Sequence, residues 1–351
     1  MAPLRLAVDA RVIAQDTRGI GRYARAVLRR IAARDDVALT LVADGLFPKR
    51  RRRAYEAALG NDSFGVAARP ARDDNVIWHP ANGTFVRSGL PSAATIHDAV
   101  PFRYPDPDPN RRRDAQRPFI RSARTATRVI AVSRFGRSEL HALLGIPLER
   151  IDVIEHGVEA SFSPGDAQPL PRVLAGRRFV LFVGDPIGEP RKNFALLYEA
   201  YRRAWPDDGP ALAVVGPRAP DLPGVIWAGH LDDDLVTGAD ATMRACYRGA
   251  LALTLPSYHE TFGMPMLEAM ACGTPVIAAR GSSLPEIGGD AAMYAAPHDA
   301  GAWSADLRRI TEDVSLREQL RSAGIEHVKK FAWERSVAAH LRLFREVAGL
   351  P

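Results

Sequence analysis

The stretch HETFGMPMLEAMACGTPVIA, residues 259–278, indicates the fold of this 351-residue chain. An apolar run over 250–255 precedes it and predicts a buried strand. A helix over 265–271 would begin with proline, which suits the first turn of a helix. A glycine then ends the helix, and 276–279 is a second apolar run. The stretch therefore predicts a strand, a loop, a helix and a further strand, which is the repeating pattern of a parallel α/β sheet.

Two carboxylates, Glu260 and Glu268, fall where this loop enters the helix. Unpaired backbone N–H groups and the positive end of the helix dipole favour a phosphate at a helix N-terminus. A carboxylate beside such a phosphate can accept hydrogen bonds from hydroxyl groups, and a nucleotide-sugar carries hydroxyls on both sides of its diphosphate. The pattern therefore predicts a nucleotide-sugar site.

The spacing Glu-x7-Glu, the adjoining Phe-Gly-x-Pro and the run Glu-Ala-Met-Ala-Cys-Gly-Thr-Pro-Val resemble motifs of the retaining glycosyltransferases of family 4. The resemblance extends over nearly the whole chain. The motifs look most like those of bacterial polysaccharide mannosyltransferases. It implies an α/β protein of the GT-B fold, with two doubly wound parallel-sheet (Rossmann-like) domains facing a cleft. It also implies that Glu260 holds the donor sugar and that Glu268 holds the ribose.

Short apolar runs alternate with helical stretches in both halves of the chain, which is typical of parallel sheets covered on both faces. Between the halves, residues 163–171 contain three prolines and one glycine, the composition of a linker. We expect an N-terminal acceptor-binding domain over 1–165, a linker over 166–174 and a C-terminal nucleotide-sugar-binding domain over 175–330. In the fold that the chain resembles, a C-terminal helix, here within 331–351, returns to the N-terminal domain.

Arg191 and Lys192 form a second cluster, in the loop between the apolar run 179–183 and a helix predicted to begin near Asn193. Two cations at a helix N-terminus add to its dipole and can bind a diphosphate. They can also stabilise the charge that grows on the diphosphate as a sugar leaves. The sequence Pro-Arg-Lys-Asn resembles a family motif as well, so we assign both cations to catalysis and to donor binding.

Two smaller signals come from the N-terminal half. Gly19 and Gly21 follow the first apolar strand, where glycines let backbone amides approach a ligand, although a plain tight turn fits the bare pattern equally well. His97 ends the apolar run 93–96, and a structural hydrogen bond is the ordinary role of such a histidine. The resemblance implies instead that the glycines meet the diphosphate or the acceptor, and that His97 reaches the donor sugar across the cleft.

The predicted site thus draws on both halves of the chain. Its catalytic residues are His97, Glu260, Arg191 and Lys192, and its donor-binding residues are Gly19, Gly21, Arg191, Lys192, Glu260, Phe262, Gly263, Met264 and Glu268. Near it, we expect His156 to be a structural turn residue and His230 to border the nucleobase. A serine of the pair Ser282-Ser283 is expected to cap the helix that follows.

Neither a metal ion nor another cofactor is expected. The other common glycosyltransferase fold binds its diphosphate through a divalent ion that an Asp-x-Asp motif holds after a strand. Outside the acidic run 232–234, the chain matches this pattern at Asp106-Pro107-Asp108, in a proline-rich run away from any predicted strand. A rigid solvated loop explains that match better, so the sequence predicts metal-independent catalysis.

The charge is uneven along the chain. Residues 1–170 carry 27 Lys plus Arg against 19 Asp plus Glu, a net charge of +8, whereas 171–351 carry 20 against 22, a net charge of −2. The basic patches 49–53 and 111–113 fit either ordinary solvated surface or peripheral contact with an anionic membrane. Neither patch contains interleaved aromatic residues, so nucleic acid is not an expected partner. Because the chain has neither a leader pattern nor about 18 consecutive apolar residues, we expect a cytoplasmic protein, with any membrane contact on the inner face.

The predicted function is transfer of a hexose from a nucleotide diphosphate to a hydroxyl of a glycan or lipid-linked saccharide acceptor in cell-surface polysaccharide synthesis. The resemblance implies retention at the anomeric carbon and favours mannose from GDP-mannose. UDP-glucose and UDP-N-acetylglucosamine remain alternative donors. A sugar-nucleotide epimerase of the same fold would consume the donor with no acceptor present, and a non-catalytic binding protein would show no turnover.

Overall fold

The computed structural model describes residues 3–14, 19–43, 48–82, 86, 88–165, 169–229 and 239–351. The chain divides into two compact units. Unit 1 consists of Met1–Gly157 together with Phe331–Pro351, and unit 2 consists of Val158–Lys330. The division between the units lies ahead of the linker expected over 166–174, of which residues 166–168 are outside the described residues.

Seven strands among the described residues of unit 1 form a parallel sheet, in the order β3-β2-β1-β4-β5-β6-β7. These strands are β1 (Leu4–Asp9), β2 (Val37–Val42), β3 (Gly65–Ala67), β4 (Val76–His79), β5 (Ser92–Thr95), β6 (Arg128–Ala131) and β7 (Ile151–Val153). The helices before unit 2 are α1 (Gly19–Ala32), α2 (Arg52–Leu59), α3 (Val100–Arg103), α4 (Pro109–Thr125) and α5 (Arg134–Leu144). Consecutive residues Leu6, Ala7 and Val8 are all fully buried, so both faces of β1 are covered.

In the described part of unit 2, six strands form a second parallel sheet, in the order β10-β9-β8-β11-β12-β13. These strands are β8 (Phe179–Val183), β9 (Ala211–Val215), β10 (Val225–Gly229), β11 (Leu253–Leu255), β12 (Val276–Ala279) and β13 (Met293–Ala295). The helices are α6 (Phe194–Ala204), α7 (Ala239–Gly249), α8 (Met264–Ala271), α9 (Leu284–Gly288), α10 (Ala300–Glu312) and α11 (Val314–Val328). The strand order reverses at β1 in one sheet and at β8 in the other, and ligands of such sheets bind at the carboxyl ends of the strands beside the reversal.

The last helix, α12 (Trp333–Val347), belongs to unit 1 although unit 2 precedes it in the chain. Its apolar face is buried in the core of unit 1. The hydroxyl of Tyr23, in α1, lies 2.6 Å from Nε2 of His340. Because Nδ1 of His340 lies 2.8 Å from the carbonyl of Ser336, Nδ1 carries the ring proton and Nε2 accepts from the tyrosine. A buried hydrogen bond therefore joins α12 to the first helix of the chain.

The predicted architecture of two doubly wound parallel sheets is confirmed, with local differences in the elements. The strand expected over 250–255 is confined to Leu253–Leu255. The reason is that the N–H of Ala250 still donates to the carbonyl of Cys246 at 3.1 Å, so residue 250 continues the end of α7. Over the described ranges, every helix is too short or too polar to cross a membrane.

Candidate active site

The loops that follow β8 and β11 meet at the carboxyl edge of the sheet in unit 2, because these two strands are neighbours. Nζ of Lys192, in the first loop, lies 2.6 Å from Oε1 of Glu260, in the second. A guanidinium nitrogen of Arg191 lies 3.8 Å from Oε2 of the same carboxylate. The side chains of Lys192 and Glu260 are 13% and 12% exposed, so solvent screens the pair only weakly. Three of the predicted site residues thus form one cluster beside the reversal of strand order.

Glu260 is held as a carboxylate. Its Oε1 also accepts a hydrogen bond from the hydroxyl of Ser257 at 2.9 Å. Burial acts to raise the pKa of this carboxyl, but the charges of Lys192 and Arg191 and the hydrogen bonds from Lys192 and Ser257 outweigh burial and lower the pKa below its ordinary value. An ionised carboxylate can only accept hydrogen bonds, which suits Glu260 to binding a hydroxyl group.

The backbone of Glu260 is fixed by the two serines that follow β12. Its N–H donates to Oγ of Ser282 at 3.1 Å, and its carbonyl accepts from the N–H and the hydroxyl of Ser283 at 3.2 and 2.8 Å. The expectation of a serine cap on α9 is confirmed for the position of the serine but not for its hydrogen bond. Ser283 occupies the N-cap position but makes no side-chain cap hydrogen bond, because its hydroxyl is directed to the Glu260 loop.

Arg191 and Lys192 occupy a short 3₁₀ helix, Pro190–Lys192, directly ahead of α6. The guanidinium of Arg191 donates to the carboxylate of Glu189 at 2.8 Å and to the carbonyl of His259 at 3.3 Å. It is therefore held between its own loop and the loop of Glu260. Two cations and one carboxylate lie where the positive end of the α6 dipole also favours an anion.

Glu268 is the fifth residue of α8 and is 3% exposed. Its Oε2 accepts a hydrogen bond from the hydroxyl of Tyr247, on α7, at 2.9 Å. Tyr247 is itself fully buried. No local pattern in the sequence reveals this tyrosine partner, because the contact depends on how α7 and α8 pack.

Phe262, Gly263 and Met264 form the entrance to α8. Phe262 is buried, and Met264 is the first residue of the helix. Gly263 has φ 97°, in the left-handed region, and a Cβ at this position would lie 2.9 Å from the side chain of Leu284. Glycine is therefore required here for the chain to turn from the Glu260 loop into the helix.

In unit 1, Gly19 and Gly21 lie in the first turn of α1, and residues 15–18 ahead of them are outside the described residues. His97 follows β5 and is 8% exposed. Its Nε2 lies 2.9 Å from the carbonyl of Pro80, and its N–H donates to the side chain of Asn82 at 2.6 Å. These contacts hold the imidazole in one orientation at the carboxyl edge of the sheet.

His156, expected to be a structural turn residue, packs against the His97 ring. The two rings stack with centroids 5.5 Å apart and planes inclined by 18°. Burial first, and then the proximity of His97 and His340, hold the pKa of His156 well below its usual value. His156 is therefore neutral at physiological pH. His230, expected at the nucleobase, lies outside the described residues.

A charged cluster that sequence analysis missed lies at the carboxyl ends of β1 and β4. Asp9 is fully buried and accepts hydrogen bonds from the guanidinium of Arg11 at 2.8 and 2.5 Å. Nδ1 of His79 lies 3.5 Å from the same carboxylate. Burial acts to raise the pKa of Asp9, but Arg11 and His79 lower it below its usual value. An aspartate at the end of the first apolar strand was the signal available in the sequence.

The Asp106-Pro107-Asp108 segment serves as a helix cap. Oδ1 of Asp108 accepts from the N–H groups of Asn110 and Arg111, both at 2.9 Å, at the start of α4. The other acidic run, 232–234, is outside the described residues. In the part of the chain that the structure describes, no group of three or more His, Cys, Asp or Glu side chains is arranged to hold a metal ion.

Comparison with known proteins places both units in one enzyme class. The family model described as Glycosyltransferase Family 4 matches residues 17–162, and the model described as Glycosyl transferases group 1 matches residues 177–313. Each model lies almost entirely within one of the two units.

Similar proteins cover most of the chain. The O-antigen chain mannosyltransferase B of Escherichia coli is 30% identical over 292 residues, which are 77% of this chain and 74% of that protein. A D-inositol 3-phosphate glycosyltransferase of Arthrobacter sp. (strain FB24) is 29% identical over 280 residues, covering 73% and 65% respectively. The crystal structure of Anabaena HepE in complex with UDP-glucose aligns with a TM-score of 0.68 at 17% identity, over 97% of this chain and 99% of that one. The chain therefore belongs to glycosyltransferase family 4 and has the GT-B fold.

Proposed function

We propose that this glycosyltransferase moves mannose from GDP-mannose to a hydroxyl of a glycan or lipid-linked saccharide in cell-surface polysaccharide synthesis. The observation that carries the proposal is the cluster of Glu260, Lys192 and Arg191 at the reversal of strand order in unit 2. A carboxylate beside two cations offers an acceptor for a sugar hydroxyl next to the counter-charge that a diphosphate needs.

The chemistry assigns one role to each group. As the bond between the sugar and the diphosphate breaks, negative charge grows on the leaving oxygens, and Lys192 and Arg191 stabilise it without a metal ion. Glu260 and His97 hold the sugar, and Glu268 holds the ribose. With no carboxylate assigned as nucleophile, the acceptor oxygen attacks from the face that the diphosphate leaves. The acceptor proton passes to the departing diphosphate, and the anomeric configuration is retained.

The donor has two candidates. The E. coli relative is named a mannosyltransferase, which supports GDP-mannose. Anabaena HepE was solved with UDP-glucose, which supports a UDP-hexose as the second candidate. The Arthrobacter relative is named for D-inositol 3-phosphate, so a phosphorylated acceptor belongs in any acceptor screen.

A titration of the purified protein in EDTA with GDP, GDP-mannose, UDP, UDP-glucose and UDP-N-acetylglucosamine tests the proposal, because a ligand that binds the folded state raises its stability. Calorimetry and thermal shift are the readouts. Selective stabilisation by GDP and GDP-mannose is expected, and selective stabilisation by the uridine ligands would replace the donor with the second candidate. No response to any of them would overturn the nucleotide-sugar site. Incubation with donor alone separates transfer from epimerisation, since only an epimerase would convert the donor without an acceptor.

We also propose that unit 1 contacts an anionic membrane through α4. This helix contains six arginines and one aspartate, a net charge of +5 over 17 residues. Phe119 and Ala123 are buried against the unit, whereas Arg113, Arg117 and Arg124 are exposed. Ile120, in the same outward region, is 37% exposed. Arginines close to an anionic lipid surface attract it by about 1 kcal/mol each, so the exposed side of α4 favours such a surface.

A further inference from the structure

Asn193 separates the two cations of the site from helix α6. With φ 56° and ψ 38° it lies in the left-handed region, which among the described residues it shares with one other non-glycine residue, Ser282. Its side chain is buried, with a relative exposure of 4% for the residue. Asparagine tolerates this conformation better than most residues, but the surrounding structure must still hold it there.

The amide of Asn193 is used to join three loops. Nδ2 donates to the carbonyl of Pro256 at 3.0 Å and to the carbonyl of Pro297 at 2.8 Å. Pro256 directly follows β11, and Pro297 follows β13 by two residues, so both carbonyls lie at the carboxyl edge of the sheet. One side-chain atom with two N–H donors satisfies both carbonyls, which neither aspartate nor glycine can do.

The helix itself does not use this amide. Asn193 is the N-cap residue of α6 but makes no side-chain cap hydrogen bond to it. Its position as a cap therefore does not explain why an asparagine stands here, since the amide points to the neighbouring loops instead of the α6 backbone.

Three further contacts continue the connection from Asn193 to the charged cluster. The N–H of Tyr258 donates to the carbonyl of Arg191 at 2.9 Å. The guanidinium of Arg191 donates to the carbonyl of His259, and Nζ of Lys192 donates to Glu260. Together with the bond from Asn193 to Pro256, these contacts join residues 191–193 to four residues of the second loop, 256, 258, 259 and 260.

We propose that Asn193 is a positioning residue, whose amide anchors the 3₁₀ helix so that Lys192 and Arg191 stay aligned on Glu260 and on the donor diphosphate. This inference rests on the proposed function of the same site. It predicts that loss of the amide lowers the affinity for the diphosphate, and that this loss is larger than the change in folding stability would explain.

The test compares Asn193→Gly with Thr254→Val. Glycine adopts the left-handed conformation without strain but lacks both donors. Thr254→Val removes another buried hydrogen bond of the same sheet, from Oγ1 to the carbonyl of Leu181 at 2.8 Å. With the nucleoside diphosphate that the wild type binds most tightly, calorimetry should show about tenfold weaker binding for Asn193→Gly and less than about twofold for Thr254→Val. Melting temperatures measured beside the affinities show whether the two variants are comparably folded.

A double-mutant cycle with Lys192→Ala separates positioning from general destabilisation. If Asn193 acts through Lys192, the loss of affinity in the double variant is smaller than the sum of the single losses. Additive losses, or unchanged affinity in Asn193→Gly, would overturn the positioning role and leave the proposed function intact. If the wild type binds none of the nucleotides, both the proposed function and the positioning role fail together.

Discussion

Nζ of Lys192 and Oε1 of Glu260 lie 2.6 Å apart although 68 residues separate them in the chain. Each group partly neutralises the other. We expect a donor diphosphate to compete with Glu260 for the ammonium of Lys192, and a sugar hydroxyl to compete with Lys192 for the carboxylate. Donor binding therefore replaces one internal ion pair with two contacts to the ligand. The loss of the ion pair limits the net affinity, and the affinity depends on both the diphosphate and the sugar of the donor.

Glu260→Gln should reduce transfer by about a hundredfold or more, because a neutral amide holds the sugar less strongly in the transition state. Binding of the free nucleoside diphosphate should be retained or strengthened, since Lys192 loses its internal partner. Initial rates of transfer and calorimetric affinities measure the two effects. Glu189→Gln is the matched control, because Glu189 contacts Arg191 from a more exposed position and has no assigned contact with the sugar. Equal rates for wild type and Glu260→Gln would remove Glu260 from the sugar site.

Acid should destabilise unit 1 below about pH 6.5. Burial lowers the pKa of His340 from its ordinary value of 6.5 to about 4. Between these values the unfolded chain binds a proton at His340 that the folded state does not bind. The contribution of His340 to the free energy of unfolding is therefore fully present above pH 6.5 and is lost as the pH falls toward 4. At pH 5 the loss is roughly 2 kcal/mol. Unfolding of wild type and His340→Gln at pH 7 and pH 5 should show a smaller pH effect in the variant, whose glutamine does not titrate. The same pH effect in both proteins would contradict the prediction.

Gly157→Ala should destabilise unit 1 by about 1–3 kcal/mol, because a Cβ at residue 157 would lie 2.4 Å from the backbone nitrogen of Trp333. Backbone cannot move aside as a flexible side chain can. Gly89→Ala is the control, since a Cβ there meets nothing within 4 Å and the residue has no positive φ. Melting temperatures should fall for the first variant and stay close to the wild type for the second. A melting temperature that Gly157→Ala leaves unchanged would show that α12 can shift away.

Reversing three charges on α4, with Arg113→Glu, Arg117→Glu and Arg124→Glu together, should abolish sedimentation with phosphatidylglycerol vesicles. The wild type should bind these vesicles less tightly as salt rises and should not bind phosphatidylcholine vesicles.

The control variant makes the same change of charge in the other basic patch, with Lys49→Glu, Arg50→Glu and Arg53→Glu. If the two triple variants bind the anionic vesicles equally, total charge and not α4 determines the contact.

The parts of the structure that depend on neighbouring residues could be predicted from the sequence. The apolar runs are strands, and the loop carrying Glu260 does lead into a helix that begins at Met264. Lys192 lies near Glu260 because β8 and β11 are neighbours in the sheet, which no local pattern shows. The family resemblance had assigned both residues to one donor site.

The contacts that were missed all depend on packing between distant segments. The hydroxyl of Ser283 had a plausible local role as a helix cap, yet it bonds to the carbonyl of Glu260, more than 20 residues earlier. Asp9 and His79 meet because β1 and β4 are neighbours, which no local pattern reveals. Gly157, the last residue of unit 1 before unit 2, packs closely on Trp333, a contact between segments that lie far apart in the chain.

The two-segment composition of unit 1 has a consequence for synthesis on the ribosome. Unit 2 is continuous in the chain, so all of its residues are synthesised before α12 is translated. Until then, the strands and α1 of unit 1 lack Trp333, Leu341 and Phe344, which complete their core. Unit 1 therefore stays incomplete and exposes apolar surface while unit 2 is synthesised. Such exposed surface makes a nascent chain prone to aggregate, and chaperones protect it at this stage.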